Sequence, residues 1–212
     1  MNTLNEALQY ALDPKNNFLG ELATHLQLSG LALLTAAIIG VPLGIFVSRY
    51  DTLERLVINA TGFLRVVPSI VVLFLLLPSQ GIGFKPAAIA LTVLAIPPLL
   101  INTDAGMKSV DPAIIEAGKG MGMSYWRLLR VVQLPLAMPV MIAGLRIATV
   151  EVIASATLAT LIGGGGLGYF IAAGLALLRN DILLVGALPV AILTFTAQLL
   201  LTGMQRKLRV RA

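Results

Sequence analysis

Three ionisable side chains stand inside apolar stretches of this chain, where a charge is costly unless it has a partner or a function. They are Arg65, Arg146 and Glu151. Arg146 and Glu151 do not face each other on one helix, because they are five positions apart. Pairing with another helix or another subunit is therefore favoured. Two alternatives stay open: Glu151 also suits a cationic substrate, and Arg146 also fits a place near the membrane surface.

The chain offers no arrangement of residues for catalysis or for a metal site. It has no cysteine and a single histidine, His25, which we interpret as an interfacial residue without a role. It also lacks the Walker A pattern G-x-x-x-x-G-K-[ST], so it is not itself an ATPase. We predict no catalysis, no metal and no cofactor in this chain.

The composition indicates an all-α integral membrane protein. Hydrophobic residues make up 58% of the 212 residues, charged residues only 12%, and the mean hydropathy is +0.92. Soluble domains average about 25% charged residues. The net charge of +5 is better explained by membrane topology than by a nucleic-acid partner.

Spans of about 20 apolar residues cross a bilayer, and five such stretches occur. They lie at about 24–48, 57–78, 85–103, 136–161 and 182–204. A weaker stretch at 167–178 is too short to cross unaided, so we predict a re-entrant or interfacial helix there; a sixth span would have to stretch it. Glycines and prolines are expected to break the spans at Gly40, Pro42, Gly44, Pro68, Pro97, Pro98, Pro139 and Pro189. For Gly40 and Gly44, close helix packing is the alternative.

Basic residues flank the spans unequally, which predicts the orientation. One side holds Arg49, Arg55, Lys108, Lys119, Arg127, Arg130, Arg206, Lys207, Arg209 and Arg211. The other side holds only Lys15, Lys85 and Arg179. We expect the N-terminus outside and the C-terminus in the cytoplasm of a bacterial inner membrane. Residues 1–20 then form a short extracytoplasmic interfacial helix, and residues 206–212 form a basic cytoplasmic tail.

The segment 111–135 is more elaborate than a connector between spans needs to be. Asp111 and Pro112 form a good helix start, and Gly122 favours a turn. Ser124 is placed to cap a second helix that ends at Pro135, which predicts a helix-turn-helix along the cytoplasmic face. Residue chemistry alone leaves two interpretations, a docking site for a partner or an amphipathic loop anchored in lipid headgroups.

This segment resembles the EAA motif of permease subunits in bacterial ABC importers of type I. The motif reads E-A-A, three residues, G, nine residues, I-x-L-P; the chain has Glu116-Ala117-Gly118, then Gly122, then Val132-Gln133-Leu134-Pro135. Gly118 and Val132 depart from it conservatively. The resemblance implies a type I transmembrane domain over residues 20–205. It also implies a coupling helix at the cytoplasmic face, which contacts a separate ATPase dimer that binds ATP and Mg²⁺. The implied coupling residues are Pro112, Glu116, Ala117, Gly118, Gly122, Leu134 and Pro135.

A run of four glycines, Gly163, Gly164, Gly165 and Gly166, follows the fourth predicted span. Its G-x-G-x-x-G spacing is not a dinucleotide site, because no strand precedes it. Non-helical backbone lining a cavity is one interpretation, and a flexible loop is the other. The stretch resembles the IGxGGLG sequence of importer permeases of the methionine and betaine/choline subfamilies, which implies a place near the gate.

The resemblance is closest to five-span permeases of the osmoprotectant subfamily. It implies import of glycine betaine, choline, carnitine or proline betaine, with an extracytoplasmic binding protein and a second permease subunit as partners. Aromatic residues make up 6% and none cluster at one level of the sequence, so a cage for quaternary ammonium is not expected here. A permease for an amino acid such as methionine and, more distantly, a secondary transporter are the alternatives.

Overall fold

The computed structural model describes residues 3–209, and every regular element in that range is a helix. The α-helices are α1 (Thr3–Leu12), α2 (Phe18–Val47), α3 (Asp51–Val66), α4 (Ser69–Leu75), α5 (Leu77–Gln80), α6 (Phe84–Lys108), α7 (Pro112–Gly120), α8 (Tyr125–Leu128), α9 (Leu134–Ala156), α10 (Gly168–Ala176) and α11 (Asn180–Arg209). A 3₁₀ turn covers Pro14–Asn16, a π-helix covers Leu129–Gln133, and a second 3₁₀ helix covers Thr157–Ile162. The predicted all-α class is confirmed.

Four continuous helical segments are long and apolar enough to cross a membrane, and a bent pair of helices brings the count to five. The segments are Pro14–Val47, Phe84–Lys108, Tyr125–Ile162 and Asn180–Leu208, and the pair joins Asp51–Val66 to Ser69–Gln80. The short stretch after the glycines forms α10, nine residues long. Among the described residues, five spans are therefore supported and six are not.

The second span, predicted over 57–78 with a break at Pro68, is a bent pair of helices, and the break is confirmed. The chain turns by 96° between α3 and α4, and Val67, which precedes Pro68, is extended with φ −71° and ψ 123°. Proline disfavours helical backbone at the residue before it, which explains the break. The helix α3 also begins earlier than predicted, at Asp51, and contains no buried residue.

Close contacts between glycines and neighbouring helices set the packing of the bundle. Gly40 and Gly44 of α2 lie against α6, where a β-carbon on Gly44 would stand 2.7 Å from Thr103 Cβ. Gly106 and Gly144 serve the contact between α6 and α9 in the same way. The packing interpretation of Gly40 and Gly44 is thus confirmed. The register makes α2 and α6 parallel and α9 antiparallel to both.

Most of the prolines do not break the helices, contrary to the prediction. Pro42, Pro97, Pro98, Pro139 and Pro189 all lie inside continuous helices, and only Pro68 marks a break. Membrane helices tolerate proline when neighbouring helices cover the freed backbone groups. Pro97, Pro98 and Pro139 are buried by such neighbours.

Both ends of the chain depart from the predicted boundaries. The N-terminal helix ends at Leu12 and α2 begins at Phe18, so the first span takes in part of the 1–20 segment. Ala7 of α1 is buried with Ile182 and Val185 of α11, so α1 packs on the bundle. The last span continues to Arg209, and the rest of the predicted 206–212 tail, including Arg211, lies outside the described residues.

Candidate coupling interface and glycine loop

The helix α7 is built as a short, well-capped unit. Asp111 occupies the N-cap, where its carboxylate accepts a hydrogen bond from the Ala113 backbone N–H at 2.8 Å. Pro112 takes the first helical position, where its missing N–H costs nothing. The predicted helix start is confirmed, and it fixes the direction in which α7 leaves α6.

The other end of α7 closes in a Schellman motif. The N–H of Met123 donates to Gly118 O at 3.1 Å, and the N–H of Gly122 donates to Lys119 O at 2.9 Å. Gly122 itself is left-handed, with φ +75°, the conformation this motif requires and glycine provides at no steric cost. The predicted turn at Gly122 is confirmed.

Gly118 brings α7 against α8. It is buried, and a β-carbon there would lie 2.5 Å from Leu128 Cδ1. A glycine at the position where the EAA motif has its second alanine therefore seats α7 closely on this leucine. Leu128 was not singled out from the sequence, although its place in an apolar helical pattern was visible.

The second helix of the segment is not a separate surface helix, and it does not end at Pro135. Tyr125 to Ile162 form one 38-residue helical segment, which passes through the π-helix Leu129–Gln133 just before Pro135. A proline has no N–H to donate to the preceding turn, and the wider π turn accommodates this loss. The fourth span thus begins about ten residues earlier than the predicted 136.

The predicted coupling residues fall into an exposed group and a packed group. Pro112, Glu116 and Ala117 are exposed on α7, next to Ile114, which is 44% exposed. Ile115 and Leu134 instead pack against a core of Met107, Val110, Leu129 and Ala137. Pro135 is exposed. The helix therefore presents one face to the outside and fixes the other to spans α6 and α9.

Cationic and aromatic side chains brace this end of the bundle. The Arg49 guanidinium lies over the Tyr125 ring at 4.2 Å, and the Arg130 guanidinium lies 5.9 Å from the Trp126 ring. Lys108, three residues before Asp111, forms an ion pair with Glu54 of α3. We call this the coupling end. Glu54 was missed by sequence reasoning, since its partner lies more than fifty residues away.

The four glycines form a compact loop at the opposite end of the bundle; we call residues 163–166 the glycine loop. Gly163, Gly165 and Gly166 have positive φ of +74°, +73° and +92°. Gly164 is tightly packed, with its would-be β-carbon 2.9 Å from Ala87 Cβ of α6. Beside the loop, the Gly83 N–H donates to Ile162 O at 2.7 Å. This backbone is non-helical and packed, which does not match the flexible-loop interpretation.

The first turns of α2 form the other wall of the glycine loop. The Gly166 N–H donates to Glu21 Oε2 at 2.6 Å, and a β-carbon on Gly166 would lie 3.2 Å from His25 Nδ1. His25 is 0% exposed, so its interpretation as an interfacial residue is wrong: the loop covers it. Glu21 was missed because its partner is a backbone amide 145 residues away.

The three predicted intramembrane charges are not brought together as one site. Arg146 donates to Thr202 Oγ1 of α11 at 3.2 Å. Arg65 is exposed near the end of α3, and Glu151 is half-buried in α9. Arg65 and Glu151 form no ion pair with each other. The salt bridges among the described residues are Lys108–Glu54 and Arg179–Asp181. The pairing of Glu151 with another helix or another subunit stays a prediction.

Aromatic side chains do cluster, contrary to the sequence expectation. Tyr10, Phe18 and Tyr169 surround Phe170, with ring centroids 5.4–6.4 Å from it. Phe170 is fully buried, and the Arg179 guanidinium already lies 5.6 Å from the Tyr10 ring. Phe170 is therefore packed core, whereas Tyr169 at the edge of the cluster is 50% exposed. Over residues 3–209, no group of His, Asp and Glu side chains is suited to holding a metal ion.

Comparison with known proteins agrees with this architecture. Residues 40–210 match the family model described as the binding-protein-dependent transport system inner membrane component. The chain is 41% identical over 197 residues to the carnitine transport permease protein OpuCB of Listeria monocytogenes, covering 93% of this chain and 90% of that protein. It is 36% identical over 204 residues to the glycine betaine/carnitine/choline transport system permease protein OpuCB of Bacillus subtilis, covering 96% and 94%.

The fold is also found among solved structures. An inward-facing structure of the MetNI methionine ABC transporter superposes with a TM-score of 0.80 at 20% identity, covering 90% of this chain and 95% of that one. At this identity the likeness concerns the fold, which is that of a type I importer transmembrane domain. The chain belongs to the binding-protein-dependent transport system inner membrane components, the permease subunits of ABC importers.

Proposed function

We propose that this permease is driven by a separate cytoplasmic ATPase dimer that docks on the exposed face of α7. The observation that carries the proposal is the construction of α7: capped by Asp111, closed by a Schellman motif at Gly122 and fixed to α6 and α9 on its other face. A helix held in this way moves with the two spans. Force applied to its exposed face therefore reaches the membrane domain.

The substrate we propose is a quaternary ammonium compatible solute of the glycine betaine, choline and carnitine class. The support is the function of the relatives, which include carnitine, choline and mixed-substrate permeases at 36–41% identity. The central ring of the aromatic cluster, Phe170, is fully buried and offers no face to a ligand, so we assign recognition to an extracytoplasmic binding protein. The permease then forms the pathway together with a second permease subunit.

The proposed orientation places the coupling end in the cytoplasm and the glycine loop at the outer face. The ten basic residues on the coupling side of the sequence support it. In that orientation the glycine loop, seated between α2 and α6, is the outer gate. Non-helical backbone at membrane depth is tolerated where protein buries it or a cavity adjoins it.

Reconstitution tests these assignments separately. The permease is co-expressed with its candidate ATPase and binding protein, and ATP hydrolysis in proteoliposomes is measured with glycine betaine, carnitine, choline and methionine. Stimulation by the first three and not by methionine is expected. Stimulation by methionine alone refutes the substrate class and leaves the coupling intact. Purification without an ATPase, together with uptake driven by an ion gradient, refutes the coupling and favours a secondary transporter.

A further inference from the structure

We propose that Glu21 is the positioning residue of the outer gate, and that His25, one turn below it on α2, opposes the closure that Glu21 maintains. The carboxylate of Glu21 holds the glycine loop against α2, and the buried imidazole lowers the cost of separating them. The inference rests on the proposed role of the glycine loop as a gate.

The tie between Glu21 and the loop is a charged hydrogen bond between distant parts of the chain. Glu21 Oε2 accepts from the Gly166 N–H at 2.6 Å, across 145 residues of sequence. Hydrogen bonds to an ionised carboxylate are roughly twice as strong as neutral ones. Glu21 is half-buried, so water competes for it less than at an open surface. This bond joins α2 to the segment between α9 and α10.

The loop backbone lies close against side chains of α2, so that even an added methyl group would be tightly packed. A β-carbon on Gly165 would lie 3.1 Å from Thr24 Cγ2 and 3.3 Å from Glu21 Oε2. One on Gly166 would lie 3.2 Å from His25 Nδ1. Glu21, Thr24 and His25 therefore form one face of α2 against which the loop closes.

The glycine loop contacts α6 through backbone and close packing, whereas it is bonded to α2 through a side chain. On the α6 side the contacts are backbone to backbone, from the Gly83 N–H to Ile162 O, and close packing of Gly164 on Ala87. The tie to α2 depends on the Glu21 side chain, which is able to rotate away while both backbones stay intact. We therefore assign the movable side of the closure to α2.

His25 makes the closed state costly. It is 0% exposed, and neither ring nitrogen has a hydrogen-bond partner among the described residues. Burying polar groups without partners opposes the closed arrangement. Separation of the loop from α2 removes the cover that Gly166 provides over His25, so the closure is held by Glu21 and resisted by His25.

Substitutions of the two residues should therefore change ATP hydrolysis in opposite ways. General damage to α2 would lower it in both variants. In the reconstituted complex, Glu21→Gln keeps an oxygen acceptor but removes the charge, and should raise ATP hydrolysis without binding protein about fivefold. Glu21→Ala should raise it more than tenfold. His25→Leu should instead lower substrate-stimulated hydrolysis about fivefold while leaving hydrolysis without binding protein low. Asp13→Asn, which neutralises an exposed carboxylate at the same end that bonds only to nearby Lys15 N, is the matched control and should do neither.

A labelling measurement reads the loop itself. The chain has no cysteine, so Thr24→Cys under the loop gives a single thiol for a membrane-impermeant maleimide. Its labelling rate should rise with Glu21→Gln and fall with His25→Leu.

If both variants lower hydrolysis, labelling and thermal stability together, their role is structural and the proposal is wrong. If the complex transports substrate but Glu21→Ala changes neither ATP hydrolysis nor the maleimide labelling rate, the role of the Glu21–Gly166 bond is refuted while the proposed function stands. If no ATPase assembles, the proposed function fails, and labelling still tests the tie.

Discussion

Replacement of Gly122 tests whether the closed end of α7 transmits force. A methyl group added at Gly122 or at Gly120 would meet no atom within 4 Å, but only Gly122 has a positive φ, +75°. An L-residue in this conformation costs about 1–2 kcal/mol. That is roughly a 5–30-fold shift in the equilibrium for the Schellman turn. Alanine at position 120 introduces the same methyl group without the strain.

The assay compares Gly122→Ala with Gly120→Ala in the reconstituted complex. Both proteins should insert into the membrane normally. Gly122→Ala should lower substrate-stimulated ATP hydrolysis several-fold, whereas Gly120→Ala should match the parent chain. Gly122→Asn should fall between them, because asparagine tolerates left-handed backbone better than alanine does. Gly122→Arg adds a large side chain at the docking face and should abolish uptake while still inserting.

The result that refutes this reasoning is specific. Equal activity of the two alanine variants would show that the Schellman turn carries no force. Normal uptake by Gly122→Arg would remove α7 from the coupling contact altogether. Loss of membrane insertion in Gly122→Ala would also contradict this role of the turn, because the strain lies in a segment outside the spans.

Two further predictions concern caps and packing. Asp111→Ala removes the N-cap bond to Ala113 and should cost about 1 kcal/mol of helix stability. It should also lower the amount of ATPase that co-purifies, whereas Asp111→Asn should retain the parent amount. Equal co-purification with both variants would refute the role of the cap. Gly44→Ala, whose methyl group would meet Leu100 O at 2.8 Å, should destabilise the bundle by about 1–3 kcal/mol in thermal unfolding. Gly30→Ala on the same helix meets nothing within 4 Å and should be neutral or stabilising, so equal loss in both would contradict the packing described.

Local chemistry allowed the coupling segment to be predicted from the sequence. Asp111, Pro112 and Gly122 act through backbone conformation and hydrogen bonds within a few residues, so their pattern predicts the cap, the start and the turn. The long apolar runs predicted the spans for the same reason. The predicted break at Pro68 is present. Breaks at the buried Pro97 and Pro98 of α6 are not, because the neighbouring helices α2 and α9 cover the backbone groups that these prolines leave free.

The contacts that join distant segments were not predictable in this way. Glu21 and Gly166, Glu54 and Lys108, and Arg146 and Thr202 meet only after the helices are assembled. The burial of His25 follows from the same assembly, since the glycine loop that covers it is contributed by a segment about 140 residues away. A polar residue at the start of an apolar run gave no sign of that cover.

The helix α6 is one continuous helix that runs from the glycine loop to the start of α7. Its 25 residues correspond to a rod about 37 Å long at 1.5 Å per residue, and it stays continuous through Pro97 and Pro98. One tip begins next to Gly83, whose N–H is bonded to Ile162 beside the glycine loop; the other ends just before the Asp111 cap of α7. In the proposed coupling, a displacement of α7 would therefore reach the opposite tip as translation or tilt of this one continuous helix.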